Sequence, residues 1–274
     1  GRGFNRPYLG AFIGLLWFFM PNNLCAIFIE GNLARSLSMI FLPVFIYSVY
    51  KYLYNHKLRY IPLMVFTFLL MELCHLGYAG MVAIAVIIYG IVYIIQKGRK
   101  KAVLDVVISM IFGFMLLGIW LVASLRGGIT SLDNSENMAN FFQNLWITIN
   151  PFERLTRGFE YFYFGFATLV VIVFGILFGY KKSRTGFVTG FIILLMTTKS
   201  AYAVLKHLPG SQYLWMLRFI SIALCMILMS FLMWDRLKKT LVLMLCVLLV
   251  VDTIPSLSLI VGEHNDISVQ ERMA

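Results

Sequence analysis

Along this chain the apolar residues fall into long uninterrupted runs, and the polar residues gather in short intervals between them. The runs occupy residues 8–20, 37–54, 60–74, 78–96, 102–124, 161–180, 186–198, 214–234 and 241–255. A helix crossing a hydrocarbon core about 30 Å thick needs roughly 20 apolar residues, so the pattern predicts an all-α polytopic transmembrane bundle of about nine spans. The stretch 60–96 is too long for one crossing, and His75-Leu76-Gly77 breaks it. It is expected to form a helical hairpin whose tip reaches the membrane surface. Runs 8–20 and 186–198 are short for a full crossing, and each also fits a tilted or re-entrant segment.

Composition points the same way. Hydrophobic residues make up 61% and charged residues 13% of 274 positions, with a mean hydropathy of +0.86. A soluble domain of this size has too little interior to hide that much apolar surface. The net charge of +11 would suit a nucleic-acid partner if it lay on one face, but it lies in short loops between apolar runs. Nucleic acid is therefore not an expected partner; the lipid bilayer is.

Arg2, Arg6, Lys51, Lys57, Arg59, Lys97, Arg99, Lys100, Lys101, Lys181, Lys182, Arg184, Arg236, Lys238 and Lys239 fall in alternate loops, and most acidic residues fall in the others. Cytoplasmic loops hold the basic excess, which puts the N-terminus in the cytoplasm and segments 21–36, 125–160 and 199–213 outside. The alternation holds at every loop only if there are nine spans. Residues 1–255 then form one membrane domain, with an interfacial outer loop at 125–160. Residues 256–274 read as the start of an outer segment that continues, and Gly1 in place of a start methionine suits a piece of a longer protein.

Candidate chemistry lies on the outer side. In the first outer segment Glu30, Asn32 and Arg35 fit a membrane-level pocket, or else a helix start with Asn32 as N-cap and the two charges solvated or paired. Glu72 and His75 stand three apart on one helical face, where an acid and an imidazole suit acid–base work, a metal-bound phosphate or an ordinary interhelical polar contact. Two residues do not make a metal site, and the spacing names no third ligand. Cofactors, a divalent metal included, stay unassigned. The aromatic residues Phe141, Phe142 and Trp146 suit an interfacial cover, or plain packing. Lys199, Lys206, His207 and Arg218 break the positive-inside trend. An unpaired guanidinium at the depth of Arg218 costs about 2.5–3.5 kcal/mol. A lipid phosphate, Glu30, Glu72, Glu160 or snorkelling to the surface are its candidate remedies. Asp252 has no role that the sequence distinguishes. Cys25, Cys74, Cys225 and Cys246 show no CxxC spacing, and P-loop, GxGxxG, GxSxG and HExxH patterns are missing.

The order Pro21-Asn22-Asn23-Leu24, Glu30-Gly31-Asn32-Leu33-Ala34, Leu42-Pro43, Tyr47 and His75 resembles the bacterial membrane family labelled 6-pyruvoyl-tetrahydropterin synthase related. Asn150-Pro151, Tyr163-Phe164-Gly165, Leu208-Pro209, Trp215 and Arg218-Phe219 extend the likeness to its YfhO-type relatives. The resemblance implies the GT-C superfamily of multi-helix glycosyltransferases in the bacterial cytoplasmic membrane. Such enzymes take sugar from a polyprenyl-phosphate carrier at the outer face, here for an envelope-polymer acceptor. It also implies a catalytic acid in the first outer loop of the whole protein, expected upstream of Gly1. The substrate-binding residues it suggests are Arg218, Lys199, His75, Glu72, Glu30, Asn32 and Arg35. A transporter or flippase of a lipid-linked precursor and a non-catalytic scaffold are the rival readings.

Overall fold

The computed structural model describes residues 1–28, 30–126, 142, 144–150, 162–207, 215–234 and 237–257. Its helices are α1 (Pro7–Phe19), α2 (Pro21–Phe28), α3 (Leu33–Asn55), α4 (Tyr60–Lys97), α5 (Lys100–Arg126), α6 (Leu145–Ile149), α7 (Phe166–Phe178), α8 (Lys181–Met196), α9 (Lys199–Leu205), α10 (Phe219–Leu232) and α11 (Lys239–Val251). By length and composition α3, α4 and α5 can each cross a membrane. The pair α1–α2, bent by 57°, makes a fourth candidate as one broken span. Shorter apolar helices occupy Phe166–Phe178, Met216–Leu232 and Lys239–Val251.

α5 and α11 are apolar on their outward faces as well as their buried ones. On α5, Val106 and Met110 are buried while Leu104, Ile108, Ile111 and Met115 are exposed; on α11, Leu245 and Leu249 are buried while Leu243, Met244 and Val247 are exposed. A helix that is apolar all round needs either a complete protein shell or lipid around it. In α10 the shell is protein, since nearly every side chain from Phe219 to Leu232 is buried.

α4 is folded back on itself. Straight, its 38 residues would run roughly 57 Å at 1.5 Å per residue. At His75 the backbone turns extended (φ −157°, ψ 92°). Moving down α3, Ser38 donates to Met71 O at 3.2 Å, Phe45 meets Phe68 at 5.3 Å and Tyr47 meets Tyr60 at 6.1 Å. On the other arm Arg35 lies over Tyr78 at 6.0 Å, Tyr50 stacks on Tyr89 at 4.8 Å and Tyr93 donates to Leu53 O at 2.6 Å. One arm is thus antiparallel to α3 and the other parallel, so the arms are antiparallel to each other. The hairpin expected at His75-Leu76-Gly77 forms there, the extended His75 separating two helical arms.

Segment 21–36, expected as an outer loop, holds α2 instead, with Pro21–Ala26 buried. Its apolar Leu24, Cys25 and Ala26 gain from burial, and Asn22 donates its amide to Leu217 O at 3.0 Å. Two further joints fix the bundle. Gly186 and Gly190 turn one face of α8 to α10, where a β-carbon would meet Ser230 Oγ at 1.9 Å and Ile227 Cγ1 at 2.4 Å. Asp252, just after α11, holds the start of α7. Its carboxylate accepts from Tyr163 OH (3.2 Å), Ala167 N (3.1 Å), Thr168 N (2.6 Å) and Thr168 Oγ1 (2.7 Å). In segment 125–160, Phe142 is buried and Trp146 of α6 exposed. Phe141, Arg154, Arg157, Glu160 and the tail 258–274 lie outside the described residues.

Candidate functional site

The hairpin tip, the α2–α3 junction and the entry to α10 meet in one buried group of charged and polar side chains. Asn32 caps α3, its side chain accepting from Arg35 N at 2.9 Å. That cap turns Arg35 inward, where it is fully buried, donates to Glu30 Oε1 at 2.6 Å and reaches Asn22 Oδ1 at 3.1 Å. Arg218 enters from the turn before α10. Its guanidinium lies 4.4 Å from the Trp215 ring centre, 3.9 Å from Glu30 Oε2 and 3.3 Å from His75 Nε2. Ser221 ties the turn down, donating to Arg218 O at 2.9 Å and meeting Tyr78 OH at 2.8 Å.

His75 carries a donor–acceptor conflict. Its Nδ1 accepts from Tyr78 N at 3.1 Å and so caps the second arm of α4. Its Nε2 faces Arg218 Nη1. A neutral imidazole has one lone pair in the ring plane, and a guanidinium only donates. If the cap holds the lone pair, Nε2–H and Arg218 N–H are two donors aimed at each other. The Nε atoms of Arg35 and Arg218 and Glu30 Oε2 also have no hydrogen-bond partner among the described residues. The group therefore pairs two guanidiniums with one carboxylate and leaves two guanidinium donors and one carboxylate oxygen without a hydrogen bond. An oxyanion supplies the acceptors that such an arrangement lacks.

Of the residues singled out in the sequence, the structure brings Glu30, Asn32, Arg35, His75 and Arg218 together. Glu72 is buried but turned toward α5, where a β-carbon on Gly113 would lie 3.8 Å from its Oε2. Lys199 is exposed at the first position of α9, and no hydrogen bond or ion pair joins it to the cluster among the described residues. Asn22, Tyr78 and Ser221 belong to the cluster without having been anticipated. Asn22 left a signal, an amide directly after a proline in apolar surroundings. Tyr78 and Ser221 left none, because a tyrosine or serine in an apolar run reads as filler.

Among the described residues no three His, Cys, Asp or Glu side chains converge as metal ligands. His56 sits beside Arg99 at the end of α3, His75 is at the hairpin tip, and His207 is exposed after α9. No curated protein and no solved structure matches the chain. A family model does match, spanning residues 1–260, and on that match the chain belongs to the 6-pyruvoyl-tetrahydropterin synthase related family of membrane proteins.

Proposed function

We propose that the cluster around Arg218 binds the phosphate of a polyprenyl-linked sugar at the outer face of the bacterial cytoplasmic membrane, in a GT-C-like glycosyltransferase acting on an envelope polymer. The observation that carries this reading is the approach of Arg218 Nη1 to His75 Nε2 at 3.3 Å, two donors when Nδ1 keeps its lone pair for Tyr78 N, which an oxyanion bridging them from the side would satisfy. In transfer, the carrier phosphate leaves with growing negative charge. Arg218 and His75 would stabilise that charge, while Glu30, Asn22 and Asn32 hold Arg35 in place behind them. Lys199 and Glu72 stand apart and take no part. The reading goes with a cytoplasmic N-terminus and about nine spans, which puts the cluster outside.

The test is carrier binding and sugar transfer by the protein in proteoliposomes, with a radiolabelled polyprenyl-phosphate sugar. Arg218→Ala is expected to lower transfer about 100-fold, the loss typical of one oxyanion donor. Arg218→Lys keeps the charge but not the fork, and recovers only part of it. Unchanged binding and transfer in Arg218→Ala would remove the assignment.

One observation favours a second reading. The α1–α2 break places the first residues of α2 beside the cluster, Asn22 touching Arg35. Transporters use broken helices of this kind around anionic substrates. Movement of the labelled carrier across the vesicle without sugar transfer would favour a flippase.

A further inference from the structure

A cavity of about 410 Å³ lies between the two arms of α4 and the facing side of α5. Phe68, Leu76 and Ile87 line it from α4, and Val107, Ile111 and Phe114 from α5. Ile87, Ile111 and Phe114 are exposed on the apolar perimeter, so the cavity opens sideways, toward lipid. Glu72 forms part of its wall. The residue is 2% exposed, and its Oε2 has no hydrogen-bond partner among the described residues. Among the described residues no lysine, arginine or histidine lines the cavity. Room for an occupant comes partly from Gly80 in the same wall, where a β-carbon would meet nothing within 4 Å.

A buried carboxyl without a donor or a cation is expensive in any protonation state that leaves its oxygens unmet. Bulk water cannot repair this from the lipid side. A molecule from the bilayer can, if its chain covers the apolar walls and its end meets the carboxyl. The volume is in the range that holds small ligands. We propose that this cavity binds an apolar chain ending in a hydrogen-bond donor, a long-chain amine or alcohol, with Glu72 receiving the head group. The site is separate from the Arg218 cluster, so neither reading depends on the other.

Dicyclohexylcarbodiimide tests it. This apolar reagent reaches carboxyls from the lipid side and leaves an N-acylurea that peptide mass spectrometry locates. In the folded protein in nanodiscs Glu72 is expected to be labelled. N,N-dimethyldodecylamine, which cannot form an amide, or dodecanol is expected to slow labelling about tenfold, the worth of one hydrogen bond to a carboxyl. Dodecane at equal concentration, binding about tenfold more weakly for want of that hydrogen bond, slows labelling no more than about twofold. The stronger of the two competitors identifies the head group as ammonium or hydroxyl. Gly80→Leu, which fills the cavity, slows labelling as well. Three results would overturn the proposal: Glu72 labelled only after unfolding in detergent, dodecane protecting as well as the amine and the alcohol, or a folded Gly80→Leu variant labelled at the wild-type rate. If that variant does not fold, the competition on the unaltered protein decides alone.

Discussion

Asp252 makes a quantitative prediction because its carboxylate serves four donors at the start of α7 from a different part of the chain. Asp252→Ala leaves the backbone amides of Ala167 and Thr168 buried with no acceptor, while the two hydroxyls can turn elsewhere. At about 1–3 kcal/mol per orphaned amide, plus about 0.3–1 kcal/mol for the lost charge at a helix N-terminus, the expected loss is about 4 kcal/mol. Asp252→Asn can turn its carbonyl toward Thr168, keeping the contacts at 2.6 and 2.7 Å. Its NH2 then faces Ala167 N, so one amide stays unmet and the loss is about 2 kcal/mol. Thermal unfolding in detergent should rank wild type above Asp252→Asn and Asp252→Ala last. Hydrogen exchange should rise in the peptide carrying Thr168 before it rises in α10. Equal stability of the two variants would refute the reasoning, since it would mean that the number of acceptors at α7 does not matter.

Gly165, at φ +97°, sits so close to the same carboxylate that a β-carbon would lie 2.0 Å from Asp252 Cγ; Gly165→Ala should match Asp252→Ala in destabilisation and add little to it in the double variant. At the buried ion pair, Arg35→Met removes the contact at 2.6 Å and leaves Glu30 facing only Arg218 at 3.9 Å, which should cost about 3 kcal/mol by denaturant titration, whereas Glu30→Gln, which takes the carboxylate from both guanidiniums, should cost at least as much. His75→Asn keeps a side-chain acceptor for Tyr78 N and should retain stability, whereas His75→Ala should lose about 1 kcal/mol; both should weaken carrier binding if His75 meets phosphate. Gly186→Leu should force α8 away from α10, and disulfide trapping between cysteines introduced on the two helices would report the lost contact as slower cross-linking.

Much of the bundle was legible because a bilayer imposes its own spacing on a sequence. The apolar runs at 37–54, 102–124 and 241–255 overlie α3, α5 and α11, and the break at His75 lies where α4 turns. What periodicity missed is local and non-local at once. Residues 21–28 carry two asparagines and read as a loop, yet they fold as a buried helix because Asn22 finds Leu217 O and Arg35 elsewhere in the chain. Asp252 looked like any residue at a helix end, because its four donors lie more than eighty positions away. The sequence marked Glu72, His75 and Arg218 as ionisable groups at or within apolar runs, and Glu30 and Arg35 as charges of an outer segment. It held no sign that Glu72, three residues from His75, would face the other way.

The reason for that divergence lies in the turn itself. In an unbroken helix residues three apart share a face, and Glu72 and His75 would have acted as a pair. The extended backbone at His75 ends the first arm just before the histidine, so the arm keeps Glu72 against α5 while the imidazole swings to cap the second arm at Tyr78. That single break sorts two ionisable groups into two environments, one charged and facing Arg218, the other apolar and open to lipid. Restoring helix at the tip would rejoin them. His75→Ala with Gly77→Ala, which raises helix propensity by about 1 kcal/mol at the glycine alone, should therefore disturb the Arg218 cluster and the Glu72 cavity together. Loss of carrier binding with carbodiimide labelling of Glu72 intact would show instead that the turn is held by the packing of α3 and α5, with no help from its own sequence.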